Sequence, residues 1–243
     1  MKKNFLFFAL IILGLNAHSQ TAKDSTRILE YIPITRSDET KWLERYQQTI
    51  ENYIDENRQL DDKSCDVLIF GSSSIHLWNS IYKDLAPLKV IRRSYGGASI
   101  RDMIYNYDVI ARNYHPKSIV MYVENDIPDN ISVGDIYDLF RVFTAKIRRD
   151  YPDIPFYILS LKPSPSREHL LKRMLLLNSL LEDYAKTAQN VYYIDITKEM
   201  YDSAGNIRKD IFLDDMLHLN SKGYELWTKT LKPVLMGLGM QNK

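Results

Sequence analysis

A serine-rich turn and a distant Asp-x-x-His pair are the residues of this sequence with the clearest chemical potential. The apolar run Cys65–Phe70 ends in Gly71-Ser72-Ser73-Ser74, and Asp215 lies three residues before His218. A serine becomes a nucleophile when a neighbouring base removes its proton. An Asp in this position can bond the imidazole Nδ1–H and leave Nε2 facing the serine. The pattern therefore favours acyl transfer through a serine, although such serines also cap helices and such pairs also occur in surface turns.

Four histidines beyond the N-terminal segment are candidates for the base. His76 follows the serines by one helical turn and points along the same element. His115 precedes Pro116 in a turn between a helix and a strand, at the opposite edge of the expected sheet. His169 lies close to the end of the fourth strand and stays open as an alternative. His218 has the best setting because Asp215 accompanies it.

Two further turns carry groups that can stabilise negative charge. Gly96-Gly97 forms a flexible turn whose backbone N–H can approach a ligand closely. Glu124-Asn125-Asp126 supplies a side-chain amide that can donate to an oxyanion. Each motif alone is usually a turn or a cap, but their occurrence with a serine and an Asp-x-x-His pair completes the donors that an acyl-transfer site needs.

The elements around these residues alternate between short β-rich runs and amphipathic helices. Near-continuous apolar strands separated by helices predict a parallel sheet covered on both faces, and ligands bind such sheets at the carboxyl ends of the strands. The sequence therefore predicts one α/β domain. The predicted strands are Cys65–Phe70, Val90–Ser94, Ser118–Val123, Phe156–Leu161 and Val191–Ile196. Predicted helices cover Leu43–Ile54 with a cap at Ser37 or Asp38, Ile75–Tyr82, Ile100–Ile110, Ile136–Ile147 with a cap at Ser132, Leu170–Tyr184 and Tyr224–Leu235.

These motifs, in this order, resemble those of the SGNH hydrolase superfamily of GDSL-type esterases and lipases, over about Cys65 to Leu235. The resemblance implies a three-layer αβα sandwich with a five-stranded parallel sheet in flavodoxin-like, doubly wound order. It also implies roles for individual residues. The Gly-Asp-Ser block matches Gly71-Ser72-Ser73, the oxyanion glycine falls on Gly97, the Gly-x-Asn-Asp block matches Val123 to Asp126, and the Asp-x-x-His block matches Asp215 to His218. Catalytic Ser73, Asp215 and His218 and an oxyanion hole of Ser73, Gly97 and Asn125 follow from this match.

Three residues depart from the superfamily pattern. Ser72 replaces the usual Asp, Val123 replaces a glycine, and Arg92 stands where an Asn is frequent. These changes bear on oxyanion geometry and substrate fit more than on the triad. Among substrate contacts, Tyr95 and Trp78 are candidates for stacking on a sugar ring, and Arg167, in the polar segment Lys162–Arg167 that is expected to form a wall of the cleft, is a candidate for binding a hydroxyl or carboxylate. Tyr95 and Trp78 can equally be core residues, and Arg167 can equally be a solvated cap of the following helix.

The N-terminal residues have the layout of a secretory signal peptide. Lys2 and Lys3 precede the apolar run Phe5–Leu15, and small residues flank a cleavage point after Ser19. The run is too short to span a bilayer comfortably, although an uncleaved anchor is the alternative. We expect a signal peptide over 1–19, a tether and amphipathic helix over 20–60, and the hydrolase domain over 61–240. Export to the periplasm or beyond follows, without stable membrane insertion after cleavage.

Composition restricts the partners of the protein. With 32 basic and 31 acidic residues the formal charge of the 243-residue chain is +1, which gives no support for nucleic-acid binding. Cys65 is the only cysteine, so no intramolecular disulfide can form, and its apolar surroundings predict a small buried side chain.

The sequence thus predicts an exported serine esterase that hydrolyses a short acyl ester, such as an acetyl ester, on a small molecule or glycan. No cofactor or metal is expected, because the sequence around His218 lacks several convergent metal ligands. The alternatives are a non-catalytic glycan-binding domain on the same fold, an acyltransferase, and a lysophospholipase-type esterase.

Overall fold

Five parallel strands form one sheet in the order β2-β1-β3-β4-β5. The structure is a computed structural model and describes residues 44–129 and 131–237. The strand order reverses at β1, which pairs with β2 on one side and with β3 on the other. This is the predicted flavodoxin-like order. The strands are β1 (Ser64–Gly71), β2 (Val90–Ser94), β3 (His115–Tyr122), β4 (Phe156–Leu159) and β5 (Val191–Ile194).

Helices lie before, between and after the strands. They are α1 (Gln47–Gln59), α2 (Ser73–His76), α3 (Ile81–Asp84), α4 (Ile100–Tyr105), α5 (Tyr107–Ile110), α6 (Val133–Asp150), α7 (Leu171–Thr187) and α8 (Ser221–Leu235). Single 3₁₀ segments occupy Pro165–Leu170 and Lys198–Met200.

Both faces of the sheet are covered because successive strand residues point to opposite sides. On one face, Val67 and Ile69 belong to a buried cluster with Trp78 and with Trp227 of α8. On the other face, the ring of Phe70 lies 5.8 Å from that of Phe143 in α6. The predicted three-layer αβα sandwich is therefore confirmed.

Local sequence signals set the ends of two helices near the site. As predicted, the Ser132 side chain caps α6 by accepting from the backbone N–H of Asp135 at 3.0 Å. Asn220 does the same for α8 by accepting from Gly223. A Cβ at Gly223 would lie 2.6 Å from the Ile211 carbonyl oxygen, so only glycine lets α8 approach this closely.

The single helix predicted over Ile100–Ile110 is wrong in one respect, because it is interrupted at Asn106. This residue ends α4 and precedes α5. Its side-chain amide donates to the Asp102 carbonyl at 3.0 Å and competes with the backbone for a helical acceptor. The tether, the signal segment and the expected cap at Ser37 or Asp38 lie outside the described residues. Within the described ranges, no helix is both long enough and apolar enough to cross a membrane.

Candidate active site

The ends of β1, β2 and β3 meet at one level of the sheet. In the strand register, Gly71 pairs with Ser94 of β2 and with Tyr122 of β3. The Ser72 N–H donates to the Tyr122 carbonyl at 3.1 Å, and the Tyr95 N–H donates to the Gly71 carbonyl at 3.1 Å. The three segments that leave these strands therefore start side by side, at the point where the strand order reverses.

Ser73 is the first residue of α2 and is 9% exposed. Ser72 precedes the helix, yet its side chain makes no capping hydrogen bond, and its Oγ is buried without a partner. The capping alternative for this serine turn is thus not supported. The Ser73 N–H bonds to no acceptor among the described residues, so it is available to a ligand.

Arg92 fixes the short helix that carries Ser73. Its Nη1 donates to the carbonyl oxygens of His76 and Trp78, both at 3.1 Å, and more weakly to that of Ile75 at 3.4 Å. A cation at these carbonyls satisfies acceptors that a helix end leaves unpaired. Arg92, one of the three departures from the family pattern, therefore anchors the end of α2.

His218 and Asp215 form the local pair that the sequence predicts. The imidazole Nδ1 lies 2.6 Å from Asp215 Oδ2, while Oδ1 accepts from the backbone N–H groups of Leu217 and His218, each at 2.9 Å. Burial works to raise the pKa of Asp215, but these hydrogen bonds outweigh it and lower the pKa to about 2. The carboxylate is therefore ionised at neutral pH and holds the ring with Nε2 free.

Two contacts attach the His218 turn and the helix after it to the rest of the strand ends. The Tyr224 hydroxyl on α8 donates to the Ser74 carbonyl at 2.9 Å, beside Ser73. The Ser166 N–H donates to the Met216 carbonyl at 3.1 Å. Among the described residues, no hydrogen bond joins Ser73 Oγ to His218 directly. Catalytic hydrogen bonds are often long before substrate binds and shorten in the Michaelis complex.

Gly97 and Asn125 follow β2 and β3, the two strands that flank β1, and their segments meet beyond its end. The Asn125 amide nitrogen donates to the Ala98 carbonyl at 3.1 Å, which leaves one of its two protons for another acceptor. Gly97 has φ +79° and its N–H bonds to no acceptor in the described part of the chain. Glycine is required there, since a Cβ would strain the backbone and lie 2.7 Å from Arg45 Nη2.

A buried charged network lies beneath Asn125. Lys162 Nζ, fully buried, donates to Glu124 Oε1 at 2.7 Å, and the Tyr122 hydroxyl donates to Oε2 at 2.5 Å. Burial lowers the pKa of Lys162, against the effect of the Glu124 carboxylate. Arg167 lies 3.7 Å from Glu124 and donates to Asn125 Oδ1 at 3.0 Å. Because arginine only donates, this bond fixes which end of the amide faces Gly97 and Ala98.

Sequence reasoning missed the roles of Glu124, Lys162 and Arg45. It placed Lys162 on an exposed cleft wall, whereas the side chain has 0% exposure. A lysine before a proline-rich segment is normally solvated, and only its position three residues after the end of β4 indicated otherwise. Arg45 comes from a segment with no motif, and its guanidinium reaches Gly97 through the fold alone.

The expected stacking residues are corrected by their burial. Tyr95 is 1% exposed, its ring packs 4.6 Å from that of Tyr46, and its hydroxyl donates to the Asp102 carbonyl. Trp78 has 0% exposure and stacks on Tyr224. Both are therefore core residues that position the site and cannot stack on a substrate.

The remaining sequence expectations near the site concern Arg167, Val123 and Cys65. Arg167 lines a cavity beside Gly97 and Asn125, so its placement is compatible with the predicted substrate contact. Val123 is 2% exposed and packs inward. Cys65 is buried as expected, and burial raises its pKa to about 11.

The sheet order and the order of the motif blocks along it define a member of the SGNH hydrolase superfamily. The sequence pattern of the GDSL-like Lipase/Acylhydrolase family matches residues 70–226, more than half of the chain, and the chain belongs to this family. The family takes its name from lipases and acylhydrolases, enzymes that cleave ester bonds. No match was found among curated protein sequences.

Solved structures share the fold at low identity. A candidate platelet activating factor from Streptococcus pneumonia is 19% identical, with a TM-score of 0.70 over 88% of this chain and 99% of that one. A GDSL-like lipase from Bacteroides thetaiotaomicron is 16% identical, with a TM-score of 0.63 over 77% and 97%. A family 3 carbohydrate esterase from Clostridium thermocellum is 17% identical, with a TM-score of 0.54 over 72% and 99%. At such low sequence identity, these comparisons show a shared fold and nothing more.

Proposed function

We propose that this protein is an exported serine esterase that hydrolyses a short acyl ester, such as an acetyl ester, on a carbohydrate. The observation that carries the proposal is the register of the sheet. Because of this register, the segments that carry Ser73, Gly97 and Asn125 begin at three adjacent strand ends. His218, paired with an ionised Asp215, is the base of this proposed site.

In the proposed mechanism, His218 Nε2 removes the Ser73 proton and Oγ attacks the ester carbonyl. The N–H groups of Ser73 and Gly97 and the free amide proton of Asn125 donate to the tetrahedral oxyanion. The alcohol leaves with the proton from His218, and an acyl-serine remains. Water, deprotonated by His218, then attacks this ester; the bond between the acyl carbon and Ser73 Oγ breaks as His218 returns the proton to Oγ, and the acid is released. Asp215 stabilises the imidazolium in both steps.

The turns at the strand ends favour a small, exposed substrate. The strand-end turns at Tyr95–Ser99 and Val123–Asn125 are short, which suits a small acyl group on an exposed polar molecule better than a long lipid chain. Structures with the same fold include carbohydrate esterases of family 3. Export through the signal peptide at 1–19 would bring the enzyme to glycans outside the cytoplasm; N-terminal sequencing of protein recovered outside the cytoplasm should begin at Gln20.

Turnover of p-nitrophenyl acetate and a panel of acetylated sugars tests the proposal. Ser73→Ala should lower kcat by about 10³-fold or more, since the nucleophile acts as a unit with its base. His218→Ala should lose a similar factor, whereas His169→Ala, the matched histidine control, should keep full activity. Undiminished hydrolysis by Ser73→Ala, or loss in His169→Ala instead of His218→Ala, would refute the assignment.

A further inference from the structure

A cavity of about 340 Å³ opens beside the proposed oxyanion donors Gly97 and Asn125. Three arginines contribute to its lining, Arg45, Arg101 and Arg167. Ser73 and His218 do not line it, so the cavity adjoins the reacting atoms without enclosing them. Its position suits a part of the substrate next to the ester bond.

The carboxylates at this cavity offset its positive charge only in part. Asp102 and Asp129 also line it. Asp102 is 5% exposed, and its Oδ2 accepts from the N–H and the hydroxyl of Ser99 at 2.7 and 2.8 Å, in the capping box of α4. Burial raises the pKa of Asp102, against the hydrogen bonds from Ser99 and the charges of Arg45 and Arg101. The lining thus combines three guanidinium groups with one exposed carboxylate and one carboxylate that serves a helix end.

Arg167 and Arg45 differ in their partners. Arg167 Nη2 donates to Asn125 Oδ1, and its buried Nη1 makes no hydrogen bond but lies 3.7 Å from Glu124. The Arg45 guanidinium lies 5.0 Å from the centre of the Tyr46 ring and forms no ion pair with a carboxylate of the described residues. Guanidinium groups bind anions through charge-assisted hydrogen bonds, and the exposed Arg45 side chain, whose Nη2 lies beside Gly97, can donate to an anion in the cavity.

We propose that this cavity is a subsite for an anionic group of the ester substrate, a carboxylate or a phosphate, bound by Arg45 and Arg167. The inference rests on the proposed esterase function. It narrows the substrate class to acyl esters of sugars that also carry a carboxylate or a phosphate. Guanidinium groups bind both anions through paired N–H donors, so the shared chemistry is a planar or tetrahedral oxyanion beside the acyl ester. Acetylated uronic acids and acetylated sugar phosphates are its two sources.

Three acetyl esters of one sugar ring test the subsite: neutral acetylglucose, acetylglucuronate and acetylglucose phosphate. The wild type should hydrolyse at least one acidic ester with higher kcat/KM than the neutral one, mainly through a lower KM. Arg45→Ala should reduce this preference roughly 10–100-fold, the worth of one charge-assisted hydrogen bond. Arg45→Lys should recover part of it. Arg58→Ala, which removes an exposed arginine paired with Asp55 elsewhere in the N-terminal region, should leave the preference unchanged.

Calorimetric titration with glucuronate, glucose phosphate and glucose makes the subsite test independent of turnover. Binding of an acidic sugar that weakens in Arg45→Ala and with added salt supports the subsite, and the tighter ligand identifies the anion. Equal hydrolysis of all three esters, or equal binding of all three sugars, overturns it. Failure to hydrolyse any ester while acidic sugars still bind would overturn the esterase function and retain the anion site.

Discussion

The buried ion pair beneath Asn125 predicts an asymmetry between its two partners. Glu124 faces Lys162 at 2.7 Å and Arg167 at 3.7 Å, and it also accepts from the Tyr122 hydroxyl. The change Lys162→Met leaves Glu124 with one cation and one hydroxyl donor. The change Glu124→Gln leaves two cations without an anion, and Lys162 has no access to water.

The magnitude follows from this imbalance. Removing one partner of a buried pair costs about 3–5 kcal/mol because the remaining charge has no counter-charge. We expect Glu124→Gln to lose an amount in that range. Lys162→Met should lose less, about 1–3 kcal/mol, since Arg167 and Tyr122 still serve the carboxylate and the methionine fills the same space. In the double variant the two effects should be strongly non-additive, with coupling of about 1 kcal/mol or more.

Urea unfolding of the four proteins at pH 7, with an unchanged m value, measures these differences. A functional readout separates positioning from folding. If Arg167 holds Asn125 through this network, Glu124→Gln should lower kcat while KM for p-nitrophenyl acetate changes little. A larger stability loss in Lys162→Met than in Glu124→Gln, or additive losses in the double variant, would refute the reasoning.

Three further predictions concern residues around the site. Burial raises the pKa of Asp126 to about 7, so stability that its neutral form contributes is complete below about pH 4 and is lost as pH rises through 7. As the pH rises from 5 to 8, the free energy of unfolding of Asp126→Asn, measured in urea, should therefore increase by about 2–3 kcal/mol relative to that of the wild type. A difference between the two proteins that does not change with pH would contradict this. Gly97→Ala keeps the backbone N–H but strains it at φ +79° and against Arg45, so it should cost about 1–3 kcal/mol of stability and lower kcat by up to about 10²-fold, both measured on purified protein; full stability and activity would contradict the requirement for glycine at this position. Arg92→Ala should free the last carbonyls of α2 and reduce both kcat and the melting temperature, whereas a loss confined to KM would indicate that Arg92 contacts substrate.

The fold could be predicted from the sequence because hydrophobic patterning decides it. The three central strands β1, β3 and β4 contain short apolar runs buried on both faces, and helices separate the strands, which leaves few topologies for a parallel sheet. The ends of strands were less predictable. For example, β3 begins at His115, three residues before the predicted Ser118, because backbone pairing with β1 continues past the apolar run.

The short motifs of the candidate site could be predicted from the sequence, but the residues that hold them in position could not. Asp215 and His218 are three residues apart, so their contact is local and the sequence alone indicates it. The contacts of Arg167 with Asn125 and of Lys162 with Glu124 join residues about 40 positions apart, and side-chain type alone suggested solvent exposure for both cations. The burial of Tyr95 was also not predictable from the sequence, because its ring packs against that of Tyr46, a residue far away in the sequence.

The most direct test of the central claim is covalent labelling with a fluorophosphonate, followed by mass spectrometry of the peptides. The account predicts one adduct per chain, on Ser73, which disappears in Ser73→Ala, slows by at least about 10³-fold in His218→Ala, and persists in Ser72→Ala. An adduct that forms at the same rate in Ser73→Ala, or that maps to a different serine, would contradict it.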